Sequence, residues 1–268
     1  MALFDEVFNK ASIYDMLFFS VKAVLIHPTL DDLQKKNPVM YERWKYLSKI
    51  KHNSAIGGYN YDEGGNPTGQ ETTYEEKAIY CPEFSRIVAI TYASLYAEKG
   101  QLKRFFKKIV NEDELMVIDT FMDMLHQLSS EGIKSSPKYF PMFCGHNIIN
   151  YDIPLLIKRH ILHRDKFERN KELPFILKNC LNAKPWESGI VDTINVWRFN
   201  GNDYMPLMLI ADYLELKKTV ELKTLADVSR AYWNTVADKP EEALEYVSLQ
   251  SATQTNLVIQ LINELRQL

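Results

Sequence analysis

Apolar residues fall along this chain in distinguishable rhythms. In residues 15–25, "DMLFFSVKAVL", they run almost unbroken, and the aromatic and β-branched content predicts a buried strand. From Thr29 to Ile50 they recur at helical spacing. Thr29 is suited to cap that helix, and Asp31 and Asp32 sit in its first turn, where acids favour the helix dipole. Residues 2–12 predict a short helix with Leu3, Val7 and Phe8 on its apolar side.

Residues 57–70, "GGYNYDEGGNPTGQ", hold five glycines and a proline and predict a flexible loop. A short helix is expected around Thr73–Tyr80. Then "RIVAITYASLYAEKGQLKRFFKK" predicts a hairpin: strand Arg86–Ala97, a turn at Glu98–Gln101, and strand Leu102–Lys107. "NEDELMVIDTFMDMLHQLSS" reads as an amphipathic helix capped by Asn111. Tyr139–Asn147 predicts another buried strand, followed by a helix with Pro154 in its first turn, where proline is tolerated. "GIVDTINVW" is a further strand with an exit, and Pro206 to Leu268 is nearly all helical, ending in Pro240–Leu265. The order of elements predicts one α/β domain with a mixed sheet over residues 15–268, preceded by a helical extension at 1–14.

Composition narrows the function classes. Hydrophobic residues make up 46% and charged residues 25% of 268 positions, as in ordinary globular chains. A net charge of −3 disfavours a strongly basic, nonspecific nucleic-acid binder, although a local basic groove stays open. Cys81, Cys144 and Cys180 form no CxxC pair, so free thiols in a reducing compartment are expected rather than a zinc site or disulfides. The acidic N-terminus does not read as a secretion signal, and no stretch is long and apolar enough to predict a membrane span. The expected location is the cytoplasm.

Four segments then carry a resemblance: "YCPEFSRIVAITYASL", "MFCGHNIINYDIPLLIKRHI", "KPWESGIVDTINVWRF" and "ALEYVSLQSATQTNLVIQL". In that order the chain resembles 3′–5′ exonucleases related to the proofreading domain of family-B DNA polymerases, members of the DEDD superfamily. The resemblance implies a ribonuclease H-like fold, with a sheet of about five strands whose second strand is antiparallel to the rest. It implies phosphodiester hydrolysis by two divalent metals held by four carboxylates, since Mg²⁺ and Mn²⁺ prefer hard anionic oxygens. Matched position by position, the first-strand pair falls on Ser20 and Lys22, the third acid is Asp152 with Asn147 before it, and the final-helix pair is Tyr246 and Gln250. Three of the four carboxylates are replaced, and one is replaced by a cation.

The implied centre therefore offers Asp152 at −1 and Lys22 at +1, too little charge to hold two divalent ions. The expected cofactor is none, with Mg²⁺ or Mn²⁺ only if an active exonuclease has rebuilt its site. Lys22 is expected to pair with Asp152. Asn147 is expected to bond a loop to a helix, and Tyr246 to pack. A displaced single-metal site from Asp15, Asp152 and Asp192 is disfavoured, because Asp15 should lie far along the strand. His146, His160 and His163 invite a metal reading, but no matching Cys, Asp or Glu cluster follows them, and a solvated face is expected. Lys103, Arg104, Lys107 and Lys108 cluster on the hairpin's second strand. Arg43, Lys45, Lys49 and Lys51 interleave with Trp44 and Tyr46, a mix that can grip a phosphate backbone but more often makes a solvated surface. The resulting expectation is a degenerate nuclease, a scaffold for an unidentified protein partner or for nucleic acid. By analogy it would serve in a phage particle or a replication complex.

Overall fold

The computed structural model describes residues 12–50, 60–61, 67–68, 70–135, 141–182, 189–199, 201 and 204–267. The predicted helix at 2–12 falls outside them, apart from Ser12, which caps a single turn at Ile13–Asp15. The loop predicted at 57–70 is also largely outside. By its internal contacts the chain divides into two compact units, residues 1–22, 87–223 and 244–268, and residues 23–86 and 224–243.

The α/β architecture expected from the sequence is present. A five-stranded mixed sheet has the order β5-β4-β1-β6-β7, built from β1 (Met16–Leu25), β4 (Ser85–Glu98), β5 (Gln101–Val110), β6 (Met142–Gly145) and β7 (Ile190–Asp192). A two-stranded ribbon joins β2 (Asn60–Tyr61) to β3 (Pro67–Thr68). In the main sheet β1 runs parallel to β6 and β6 parallel to β7, while β4 and β5 form the predicted antiparallel hairpin. All ten residues of β1 are buried, as its unbroken apolar run implied.

Three boundaries differ from the sequence reading. The helical stretch 29–50 is two helices, α1 (Leu30–Lys36) and α2 (Pro38–Ile50). Pro38 has no N–H to donate, so one helix ends before it and the next begins on it. The strand predicted over 139–147 is confined to β6, and Asn147 lies in the left-handed region at φ 64°. The helix expected around Thr73 begins earlier, as α3 (Gln70–Lys77), and ends in a tight turn at Ala78–Tyr80.

The larger unit carries α4 (Glu114–Ser135), α5 (Ile153–His163), α6 (Phe175–Asn182), α7 (Thr193–Trp197) and α8 (Leu207–Tyr213). Of the last two helices, α9 (Leu225–Val236) lies in the smaller unit and α10 (Pro240–Leu265) lies mostly in the larger. Alternation along the strands gives the sheet two apolar faces. Met16 and Phe18 join Ala93, Cys144 and Val191 in a cluster with Leu257, Leu261 and Ile262 of α10. On the other face Phe19 packs against Phe121 of α4 and Phe143, with centroids 5.8 and 5.4 Å apart. In the smaller unit Trp44, Tyr74 and Phe84 meet edge to face, which bears out the inward turn expected of Trp44, whereas Tyr46 is exposed. Among the described residues no helix is long and apolar enough to cross a membrane.

Candidate functional site

The positions singled out on β1 lie on the face that meets α10. A spacing of two puts Ser20 and Lys22 on the same side of the strand. Both are buried. The Ser20 hydroxyl lies 3.0 Å from both the carbonyl oxygen and Oγ of Ser251, and the Ser251 hydroxyl donates to the Ser20 carbonyl at 3.1 Å. One turn along α10, Gln254 Oε1 accepts from Lys22 Nζ at 2.5 Å. Residues 251 and 254 share a helix face. Two rungs of side-chain bonding therefore fasten this helix to the strand end.

The second wall is the turn that follows β6. Gly145 ends the strand where a side chain has no room: a Cβ there would lie 2.2 Å from Ile148 Cγ2 and 2.8 Å from the Phe19 carbonyl. Asn147 takes the positive φ that asparagine tolerates better than most residues. A single turn of wide helix, Ile148–Asp152, then leads into α5. Asp192, at the end of β7, holds this turn in place. Its carboxylate accepts from the backbone N–H of Asn147 at 2.8 Å, of Ile149 at 3.1 Å and of Ile194 at 3.1 Å. Asn147 joins the loop to this turn through its backbone N–H, while its side chain makes no cap bond. Thr193 Oγ1 donates to the Gly145 carbonyl at 3.1 Å and lies 2.9 Å from His146 Nδ1.

Asp152 ends the turn, fully buried, beside the Val21 backbone N–H. It is electrostatically coupled to Lys22, but the expected ion pair does not close. Lys22 reaches Gln254 instead, and Asp152 Oδ2 has no hydrogen-bond partner among the described residues. Burial pulls the Lys22 ammonium down to about 8, partly offset by Asp152. Burial pushes the Asp152 carboxyl up to about 8, against the opposing effects of Lys22 and the Val21 N–H. Burial also holds His146 down at about 4, against the opposing effect of a hydrogen bond to the Met205 backbone. All three groups are thus shifted toward their neutral forms.

This donor set does not fit a pair of divalent cations. The Asp192 oxygens are committed to three N–H groups, the two serines bond each other, and Lys22 places an amine beside the remaining carboxyl. Among the described residues no group of three or more His, Cys, Asp or Glu is arranged to hold a metal. Asp15 accepts from the Ser12 N–H in the turn before β1.

Other expectations are corrected by the geometry. Gln250 does not face β1. Its Oε1 accepts from the Lys223 N–H at 3.0 Å and its Nε2 donates to the Glu221 carbonyl at 2.9 Å. Tyr246, one turn earlier, is half-buried. The α10 side chains that reach β1 are Ser251 and Gln254, which the sequence match missed. The basic residues of β5 do not form one patch, because alternation sends them to opposite faces. Arg104 donates to Asn256 Oδ1 and Lys108 lies 3.3 Å from Glu245, both on α10, while Lys103 and Lys107 point the other way.

The histidines are not on a solvated face. His146 and His160 are buried, and His160 Nε2 bonds the Asn170 carbonyl at 2.7 Å while its ring stacks on Phe167. His163 Nε2 lies 2.8 Å from Glu114 Oε2. Glu114 also accepts from Arg159 Nε at 2.8 Å, from Arg159 Nη2, and from the Ile87 N–H at 2.6 Å. The sequence signal for this cluster was an acid in the first turn of a helix, and that reads as a dipole effect. No protein-family model, no curated protein and no solved structure matches this chain.

Proposed function

We propose that the chain is a nuclease-like scaffold whose metal centre has been replaced by a hydrogen-bonded plug, and that it works by binding a protein partner. The observation that carries this reading is the Lys22 ammonium, buried beside Asp152 and bonded to Gln254. A cation there repels any divalent ion by several kcal/mol at the effective dielectric of protein sites. The Ser20–Ser251 rung supports the same reading, since two hydroxyls facing each other leave no anionic oxygen. A five-stranded mixed sheet, with β1 inside it and a hairpin on one side, supports this reading. A compact sheet of this kind serves equally as a platform for assembly, because activity resides in sites rather than folds.

The alternative is an active exonuclease with a rebuilt centre. Incubation with single-stranded DNA and RNA in Mg²⁺ or Mn²⁺ separates the two. The scaffold predicts intact substrate. Stepwise loss of 3′ nucleotides, abolished by EDTA and by Asp152→Ala, would establish the enzyme.

A further inference from the structure

Strand β5 forms one edge of the sheet. Its turn has two residues, Lys99 and Gly100, at φ 51° and 74°, as a tight hairpin requires. Such a turn makes Glu98 and Gln101 a hydrogen-bonded pair, and pairing alternates from there along the ladder. The bond from the Asn111 N–H to the Val88 carbonyl, 3.2 Å, falls where that alternation puts it. Lys103, Phe105 and Lys107 therefore turn their backbone groups inward to β4. Leu102, Arg104, Phe106 and Lys108 turn theirs to the open edge, where no backbone group among the described residues meets them.

The side chains say what this edge accepts. Every charged residue of β5 is a cation: Lys103, Arg104, Lys107 and Lys108. Arg104 is held over the Phe106 ring, 4.9 Å from its centroid, on the face that meets α10, where Lys108 pairs with Glu245, so Lys103 and Lys107 on the other face are the cations that point away from that helix. Beside the cations, Leu102 is 53% exposed and Phe105 49% exposed. We propose that this edge receives an acidic, extended segment of a protein partner as a sixth strand. The fitting pattern is two acids, two apolar residues and two acids, set against Lys103 to Lys108. Backbone bonds would supply affinity and the flanking acids selectivity.

Two other occupants fit less well. A second copy of β5 would lay lysines and arginine against one another, which like-charge pairing across strands opposes. A nucleic acid could meet the cations but has no strand to pair the outward carbonyls. Protection against self-pairing alone does not require exposed Leu102 and Phe105. The inference deepens the scaffold reading and rests on it for the kind of partner. A nuclease result would overturn that reading, whereas a failure of strand addition in a nuclease-inactive protein would overturn this inference alone.

The test uses the full chain and a capped peptide centred on Glu-Glu-Val-Val-Glu-Glu, with amide hydrogen exchange and fluorescence anisotropy. The expected result is saturable binding with new protection at the Leu102, Arg104, Phe106 and Lys108 amides. Lys103→Glu with Lys107→Glu should weaken binding about tenfold or more, since charges at an interface rim tune recognition. Leu102→Pro removes one outward N–H at an exposed edge position, where proline is tolerated. It should weaken binding while the thermal melt is retained. No binding, protection elsewhere, or affinity unchanged by the charge reversal would overturn the proposal. So would self-association through β5, or a single-stranded oligonucleotide that protects the same amides while the peptide does not.

Discussion

Two buried polar clusters in the larger unit solve the same problem differently. Around Glu114 both carboxylate oxygens are fully used: one accepts from the Ile87 N–H and Arg159 Nε, the other from Arg159 Nη2 and His163 Nε2. Around Lys22 the bonding is incomplete. Lys22 has a single acceptor, while Asp152 Oδ2 has no partner among the described residues. The first cluster fastens α4 and α5 to the start of β4 and works as structure. The second carries groups displaced toward neutrality, the state burial imposes when hydrogen bonds do not balance desolvation. A carboxylate whose two oxygens are both used resists change, whereas one with an unpartnered oxygen can lose its charge at little cost.

The comparison can be broken most sharply at Glu114. Glu114→Ala leaves the Arg159 guanidinium buried without its counter-charge and should cost about 3–5 kcal/mol. Urea denaturation at neutral pH measures this, and a loss below 1 kcal/mol would show the cluster to be ornamental.

His146 gives the next effect, through pH. Its folded-state value is held at about 4, below the usual 6.5, by burial first and by nearby Lys22 as a smaller cause. The unfolded chain takes up a proton as pH drops below 6.5, while the folded chain resists until about 4. Stability that is present above pH 6.5 is therefore lost on acidification through that window, by about 3 kcal/mol at most. Urea midpoints from neutrality down to pH 4 should fall less steeply in His146→Gln than in the unaltered chain. Parallel curves would remove His146 from the account.

The smallest effect is expected at Lys22. Lys22→Met removes a costly buried ammonium and lets Asp152 stay protonated, so stability should change by no more than about 1 kcal/mol, in either direction. A loss as large as that of Glu114→Ala would mean that the two clusters are equivalent and the contrast is wrong.

Much of the fold was legible locally. The hairpin was visible because alternation on both sides of Lys99-Gly100 sets its register within a few residues. The buried first strand was visible because ten consecutive residues carry the burial signal. The candidate site was legible only in part. Asn147 and Asp152 belong to one short segment, and their places follow from the geometry of one turn. The α10 partners did not follow. Tyr246 and Gln250 are correctly spaced for one helix face, but Gln250 bonds the backbone of Glu221 and Lys223.

The sequence by itself determined the strands, the helices, the hairpin turn and the missing carboxylates, because each rests on residue type and short-range spacing. Only the tertiary structure decided that Ser251 and Gln254 meet Ser20 and Lys22 across 231 and 232 residues, that Asp192 binds the turn at Asn147, and that His163 joins Glu114. Periodicity tells which residues share a face of an element. What that face meets depends on how the elements pack and on which buried polar groups find partners when water is excluded.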